Sequence, residues 1–126
     1  MEIQVRSALW RAGLRFRKNV AWLPGKPDIV FTKSKTVVFL DSCFWHGCPA
    51  HLRRPKSNQE YWQQKIARNQ RRDVIVNCFY EENGWTIIRF WEHDLKEDFD
   101  SCVNRIILAA RKPQNIGKAT QVQAFT

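Results

Sequence analysis

The order of apolar and polar residues divides the chain into a few elements. In "EIQVRSALWRAG", Ile3, Leu9, Trp10 and Ala12 fall largely along one face at helical spacing and Gly13 supplies a stop, so the pattern predicts a helix over residues 2–12. "LRFRKN" alternates and predicts a short edge strand. The turn chemistry of "LPGKPD" leads into two β-branched runs, "DIVF" and "TVVFLD", with "TKSK" between them; this predicts a hairpin of two central strands. A long helix is predicted from Ser57 or Asn58, where "SNQE" offers a cap and an acidic partner, to Gly84. "WTIIRFW" predicts a third buried strand. "DLKEDFDSCVNRIILAAR" predicts one final helix with Leu95, Phe99, Ile106 and Ala110 inward. After Arg111 periodicity and bulk are lost, so residues 112–126 read as a loose tail behind a single domain of residues 1–111. The order of elements predicts an α/β domain with helices flanking a mixed sheet.

Composition adds a partner. Twenty-one Lys and Arg against 12 Asp and Glu leave a formal charge of +9, the balance of a protein that meets polyanions, with nucleic acid the first to consider. A merely soluble basic protein is the bland alternative. No apolar run of about 18 residues is present and nothing reads as a signal peptide, so membrane and export are not expected. In a reducing compartment four cysteines are metal ligands or core residues rather than disulfides. Cys78 and Cys102, within helices, are most simply core.

The chemistry gathers in "LDSCFWHGCPAH", residues 40–51. Cys43, Cys48 and His51 sit on a loop broken by Gly47 and Pro49, and their spacing can fold round one zinc ion. His93, after the "IIRFW" strand, can supply the fourth ligand if that strand lies beside "VVFL". Small buried cysteines are the alternative, but they leave His51 and the Gly-Pro breaks unexplained. His46 is then free for chemistry. Asp28 and Asp41 stand at the meeting ends of the hairpin strands, and two such carboxylates can hold a hard cation such as Mg²⁺ for phosphate chemistry, with His46 accepting a proton from the attacking water. Either Asp alone could equally be a strand-end residue.

Grip on a substrate follows from the same loop and the long helix. Phe44 and Trp45, between zinc ligands, and Trp62, after the basic approach "LRRPKSNQEYW", are aromatics on a basic surface that can wedge between base pairs. Lys65 and Asn69 are four residues apart and share a helix face. Arg53, Arg54, Arg68, Arg71 and Arg72 suit phosphates, or simply a solvated face.

Taken together, "LPGKPDIVF", "VVFLDSCFWHGCPAH", "NQEYWQQKIARNQRRD" and "GWTIIRFWEHDL" resemble the very short patch repair (Vsr) DNA mismatch endonucleases over roughly residues 2–95. The resemblance implies a restriction-endonuclease-like PD-(D/E)xK fold with structural zinc, and Mg²⁺-dependent nicking of one strand beside a T:G mismatch left by deamination of 5-methylcytosine. It implies Asp28 and the Leu40 carbonyl as metal ligands, His46 as the catalytic histidine, and Glu2 as a glutamate that supports the metal's water shell. Cys43, Cys48, His51 and His93 fall on the zinc positions, and Lys65 and Asn69 on positions that contact the mismatched bases. It also implies a monomer acting on double-stranded mismatched DNA in a bacterial cytoplasm, near the nucleoid, with a functional link to a cytosine-5 DNA methyltransferase and mismatch repair proteins. Two residues depart from the pattern: Asp41 stands where the best-known type has a second histidine, and Cys43 occupies the usual lysine position. The chain also starts at Glu2's neighbour, where family members carry an arm that grips the minor groove; that implies a trimmed chain or a short member with a weaker hold. The competing expectations are a PD-(D/E)xK nuclease with another DNA specificity and a non-catalytic zinc-stabilised DNA-binding module.

Overall fold

The computed structural model describes residues 2–43 and 58–112, together with the backbone of residues 122–125. Its centre is the hairpin expected from the β-branched runs. β2 (Ile29–Phe31) and β3 (Thr36–Asp41) pair antiparallel with Ile29 opposite Val38, and β1 (Arg17–Lys18) adds an exposed edge to β2. β3 is buried along its whole length because it also pairs on its other side, in parallel, with β4 (Thr86–Trp91). A parallel pair needs a crossover, and α2 (Gln59–Glu82) is part of it. A fifth strand, β5 (Val122–Phe125), pairs in parallel with β4, giving the order β1-β2-β3-β4-β5. The loose tail expected over residues 112–126 therefore contains a strand. Its lack of local periodicity is no obstacle, since β4 supplies the backbone partners.

Side chains alternate across β3 and β4, so each sheet face has its own core. One buries Val38, Leu40, Ile88 and Phe90 against α1 (Glu2–Arg11), α3 (Glu92–Glu97) and α4 (Phe99–Arg111), through Val5, Leu9, Leu95 and Ile106. The other buries Val37, Phe39 and Ile87 against Val76 and Tyr80 of α2. Each such side chain contributes about 1.5–3 kcal/mol on full burial. No described helix is long and apolar enough to cross a membrane.

Several expectations are corrected. Val5 and Leu9, one turn apart, are the inward row of α1, whereas Ile3 and Trp10 face solvent. The single final helix is two: Asp98 breaks the chain between α3 and α4, and its carboxylate accepts a hydrogen bond from the Ser101 amide at 3.4 Å as the cap of α4. Asn58 precedes α2 in a left-handed conformation, φ 56°, and makes no side-chain capping bond. Cys102 is buried as expected, but Cys78 is exposed on α2.

Candidate active site

Asp28 is placed by the end of the hairpin. Past the Ile29–Val38 pair, its amide donates to the Val38 carbonyl at 3.0 Å, and its carboxylate accepts the Leu40 amide at 2.7 Å. The side chain thus takes the place of the next backbone acceptor and is clamped at the strand end. The preceding turn is fixed from the other side, because the hydroxyl of fully buried Tyr80 donates to the Pro24 carbonyl at 2.6 Å. Gly25, at φ 76°, belongs to this turn. A Cβ there would lie 2.8 Å from a Val76 methyl, so the close approach of turn to helix requires glycine.

The carboxyl group that meets Asp28 is that of Glu2, at the start of α1; the two share a hydrogen bond. Burial, foremost, pushes Asp28 up to about 7, against the pull of the Leu40 amide, with the Glu2 hydrogen bond and the charges of Glu2 and Asp41 adding to the rise. Asp28 therefore keeps its proton up to about neutral pH. A divalent cation answers the same crowding of negative charge, so the pair is a fitting cation site.

Asp41 lines the same cleft of about 260 Å³ as Asp28 and Leu40. Its carboxylate, however, accepts from Nη1 of Arg89 at 3.0 and 3.2 Å. Arg89 is 7% exposed, lies 4.1 Å over the Phe39 ring, donates Nε to Asn77 at 2.7 Å and stands 3.7 Å from Asp73. Sequence reasoning missed Arg89, and the signal was a lone charge inside the apolar run "TIIRFW". Removing one partner of a buried ion pair costs about 3–5 kcal/mol. Arg89→Met should therefore destabilise by about that amount in urea unfolding, and adding Asp41→Leu should restore most of it. An additive double variant would show that the two side chains do not act as a pair.

Lys65, Asn69, Asp73 and Asn77 follow one another at four-residue spacing, so α2 presents them as one row towards the end of the sheet. Asn69 and Arg72 line the cleft with Asp28, which brings the expected DNA-contacting row and the carboxylates together. Arg68 and Arg71 are exposed on the same helix, and Trp62 is half-buried beside Tyr61, ring centroids 5.0 Å apart.

Just past this same, C-terminal end of β3 and β4 the parallel register sets Asp41 opposite Trp91. Cys43 and His93, two residues further on each strand, therefore meet, with Sγ and Nδ1 3.4 Å apart. Two ligands on one tetrahedral zinc, at about 2.3 Å for sulfur and 2.0 Å for nitrogen, lie roughly 3.5 Å apart, so this spacing fits the metal. The far nitrogen of His93, Nε2, sits 3.4 Å from Asp94, as an orienting carboxylate would. Asp94 had no sequence signal as a supporting group. Cys43 is buried against Trp91, whose ring stacks on His93 at 6.5 Å. Cys48, His51, His46, Phe44, Trp45, Arg53 and Arg54 lie outside the described residues; among the described residues no cluster of three metal-ligating side chains occurs.

Comparison with known proteins gives the family. The family model described as DNA mismatch endonuclease Vsr matches residues 1–51. The type II nicking enzyme V.NmeDIP of Neisseria meningitidis serogroup C is 40% identical over 119 residues, covering 93% of this chain and 80% of that protein. The type II nicking enzyme V.NaeI of Lentzea aerocolonigenes is 46% identical over 102 residues, 77% of this chain and 61% of that protein. The DNA mismatch endonuclease Vsr of Escherichia coli K12 is 36% identical over 97 residues, 76% of this chain and 62% of that protein. The chain thus spans about three fifths of the length of the last two.

Proposed function

The chain belongs to the Vsr DNA mismatch endonuclease family, and on that premise we propose that it is a Mg²⁺-dependent endonuclease that nicks one strand of duplex DNA beside a T:G mismatch. The observation that carries this reading is the Glu2–Asp28 carboxyl pair at the end of the hairpin, in a cleft overlooked by Asn69 and Arg72. A non-catalytic DNA-binding module has no need of two crowded, partly buried carboxyl groups beside a polyanion.

The residues have separable tasks. Asp28 and the Leu40 carbonyl would hold Mg²⁺, with Glu2 supporting its water shell. When bound, the cation neutralises charge on the phosphate and the leaving oxygen. Asp41, tied to Arg89, fixes the end of β3 and adds negative charge behind Asp28. His46 accepts the proton of the attacking water. Lys65 and Asn69 meet the mismatched bases, Arg68 and Arg72 with Arg53 and Arg54 hold phosphates, and Phe44, Trp45 and Trp62 wedge the stack where the mismatch has weakened it. Cys43, Cys48, His51 and His93 would hold zinc, which would tie the segment that carries His46 to the end of β4. The scaffold is then a PD-(D/E)xK nuclease core, with Cys43 at the lysine position given over to zinc.

The test is a panel of end-labelled duplexes that differ at one base pair. With Mg²⁺ the T:G duplex should be nicked on one strand at least about tenfold faster than its matched parent, a discrimination of about 1.4 kcal/mol. With EDTA neither should be cut. Equal cutting of matched and mismatched DNA would transfer the fold to another specificity, and no cutting at all would favour the binding module.

A further inference from the structure

We propose that a groove on the outer side of α1 is a second nucleic-acid site, one that holds single-stranded DNA against Trp10. Glu2, Arg6 and Trp10 follow at four-residue spacing and form a row beside the buried row of Val5 and Leu9. The row begins at the carboxyl pair, where Glu2 meets Asp28 and Arg6 stands 3.7 Å from Glu2. Two turns on, about 12 Å along the axis, it reaches Trp10. There α1 and the segment through β1 enclose a groove of about 540 Å³, lined by Arg6, Ser7, Trp10, Arg11, Phe16 and Lys18. Among the described residues no carboxylate lines it. Glu2 is the sole acidic residue before Asp28, against Arg6, Arg11, Arg15, Arg17, Lys18 and Lys26, so the complementary occupant is a polyanion.

Trp10 decides which polyanion. The residue is 55% exposed, and the Arg15 guanidinium lies 3.4 Å from its ring centroid while donating to the carbonyls of Trp10 and Leu14 at 3.4 and 3.0 Å. Arg15 thereby backs one face of the indole and steadies it. A duplex keeps its base faces stacked on each other; an unpaired base has a free face, and stacking on an aromatic side chain tolerates any sequence. The occupant is therefore a single strand. This inference rests on the nuclease reading for its context: a strand freed beside the nick could reach Trp10 within about four stacked nucleotides of the carboxyl pair.

The test uses the full chain in EDTA, so that nothing is cut, titrated with a labelled duplex and with the same duplex carrying a ten-nucleotide oligo-dT tail. The tail should tighten binding about tenfold. Trp10→Ala with Arg11→Ser should remove that gain while binding the blunt duplex within about twofold of the parent. Arg11→Ser with Lys18→Ser, which keeps the ring, should lose most of the gain as well. Three results would overturn the proposal: no gain from the tail in the parent, a gain that survives in both variants, or displacement of the tail by polyglutamate as readily as by oligo-dT of equal charge, which would give the groove to an acidic protein. Nicking with Mg²⁺ on the same samples reads the proposed function separately. A chain that nicks but ignores the tail sinks the groove alone, and one that grips the tail but never nicks supports the groove and sinks the nuclease.

Discussion

Asp28→Asn should lower nicking of a T:G duplex by about 10³-fold, roughly 4 kcal/mol of barrier, and yet unfold at a higher temperature than the parent at pH 8. The loss follows from its proposed place as the central cation ligand. The gain follows from the proton balance. Asp28 loses its proton at 3.8 when unfolded and at about 7 when folded, so the unfolded chain binds fewer protons between these values and stability falls as pH rises through that window. At pH 8 the parent carries the full burden of a buried, crowded carboxylate. Asparagine does not, and its carbonyl oxygen can still accept the Leu40 amide. The advantage should shrink when both proteins are melted at pH 5. A variant that unfolds more readily than the parent at pH 8 would show that the carboxylate itself holds the hairpin end together.

Zinc removal should have the larger effect on folding. Structural zinc contributes about 10–16 kcal/mol in small peptide sites, as much as the whole stability of an ordinary domain, about 5–15 kcal/mol. Cys48→Ala and Cys43→Ala are each expected to lose the metal and melt at lower temperature, whereas His46→Ala keeps the metal and the fold but stops nicking. Metal content by mass spectrometry and thermal melts of the three variants decide the matter. Zinc loss in His46→Ala equal to that in Cys48→Ala would mean the ligand set is misassigned.

The elements that could be read from sequence are those whose signals are local. "LPGKPD" followed by two β-branched runs names the hairpin and so the position of Asp28, because turn residues and strand residues act on their own backbone. His93 could be placed beside Cys43 from the assumption that "IIRFW" runs next to "VVFL", which the parallel register of β3 and β4 bears out. What escaped depends on distant partners. Arg89 has meaning only once α2 brings Asp73 and Asn77 over β4. Glu2 meets Asp28 through packing of α1 on the sheet, which periodicity does not encode; family resemblance alone pointed to it. The Asp98 break was hidden because apolar spacing continues across it, although Asp and Ser three residues apart are a cap signal. Trp10 misled because helical spacing put it on one face with Ile3, Leu9 and Ala12, while the row that packs is Val5 with Leu9.

At the centre stands Asp28, which beside Glu2 holds a proton where a divalent cation would bind. Manganese binding to the full chain, read from the resonance of free Mn²⁺, tests this directly at pH 6, 7 and 8. One proton displaced from a group at about 7 should raise affinity about tenfold between pH 6 and pH 8 and level off above that, with Asp28→Asn binding weakly and without pH dependence. An affinity that is flat across this range, or that survives in Asp28→Asn, would contradict the account.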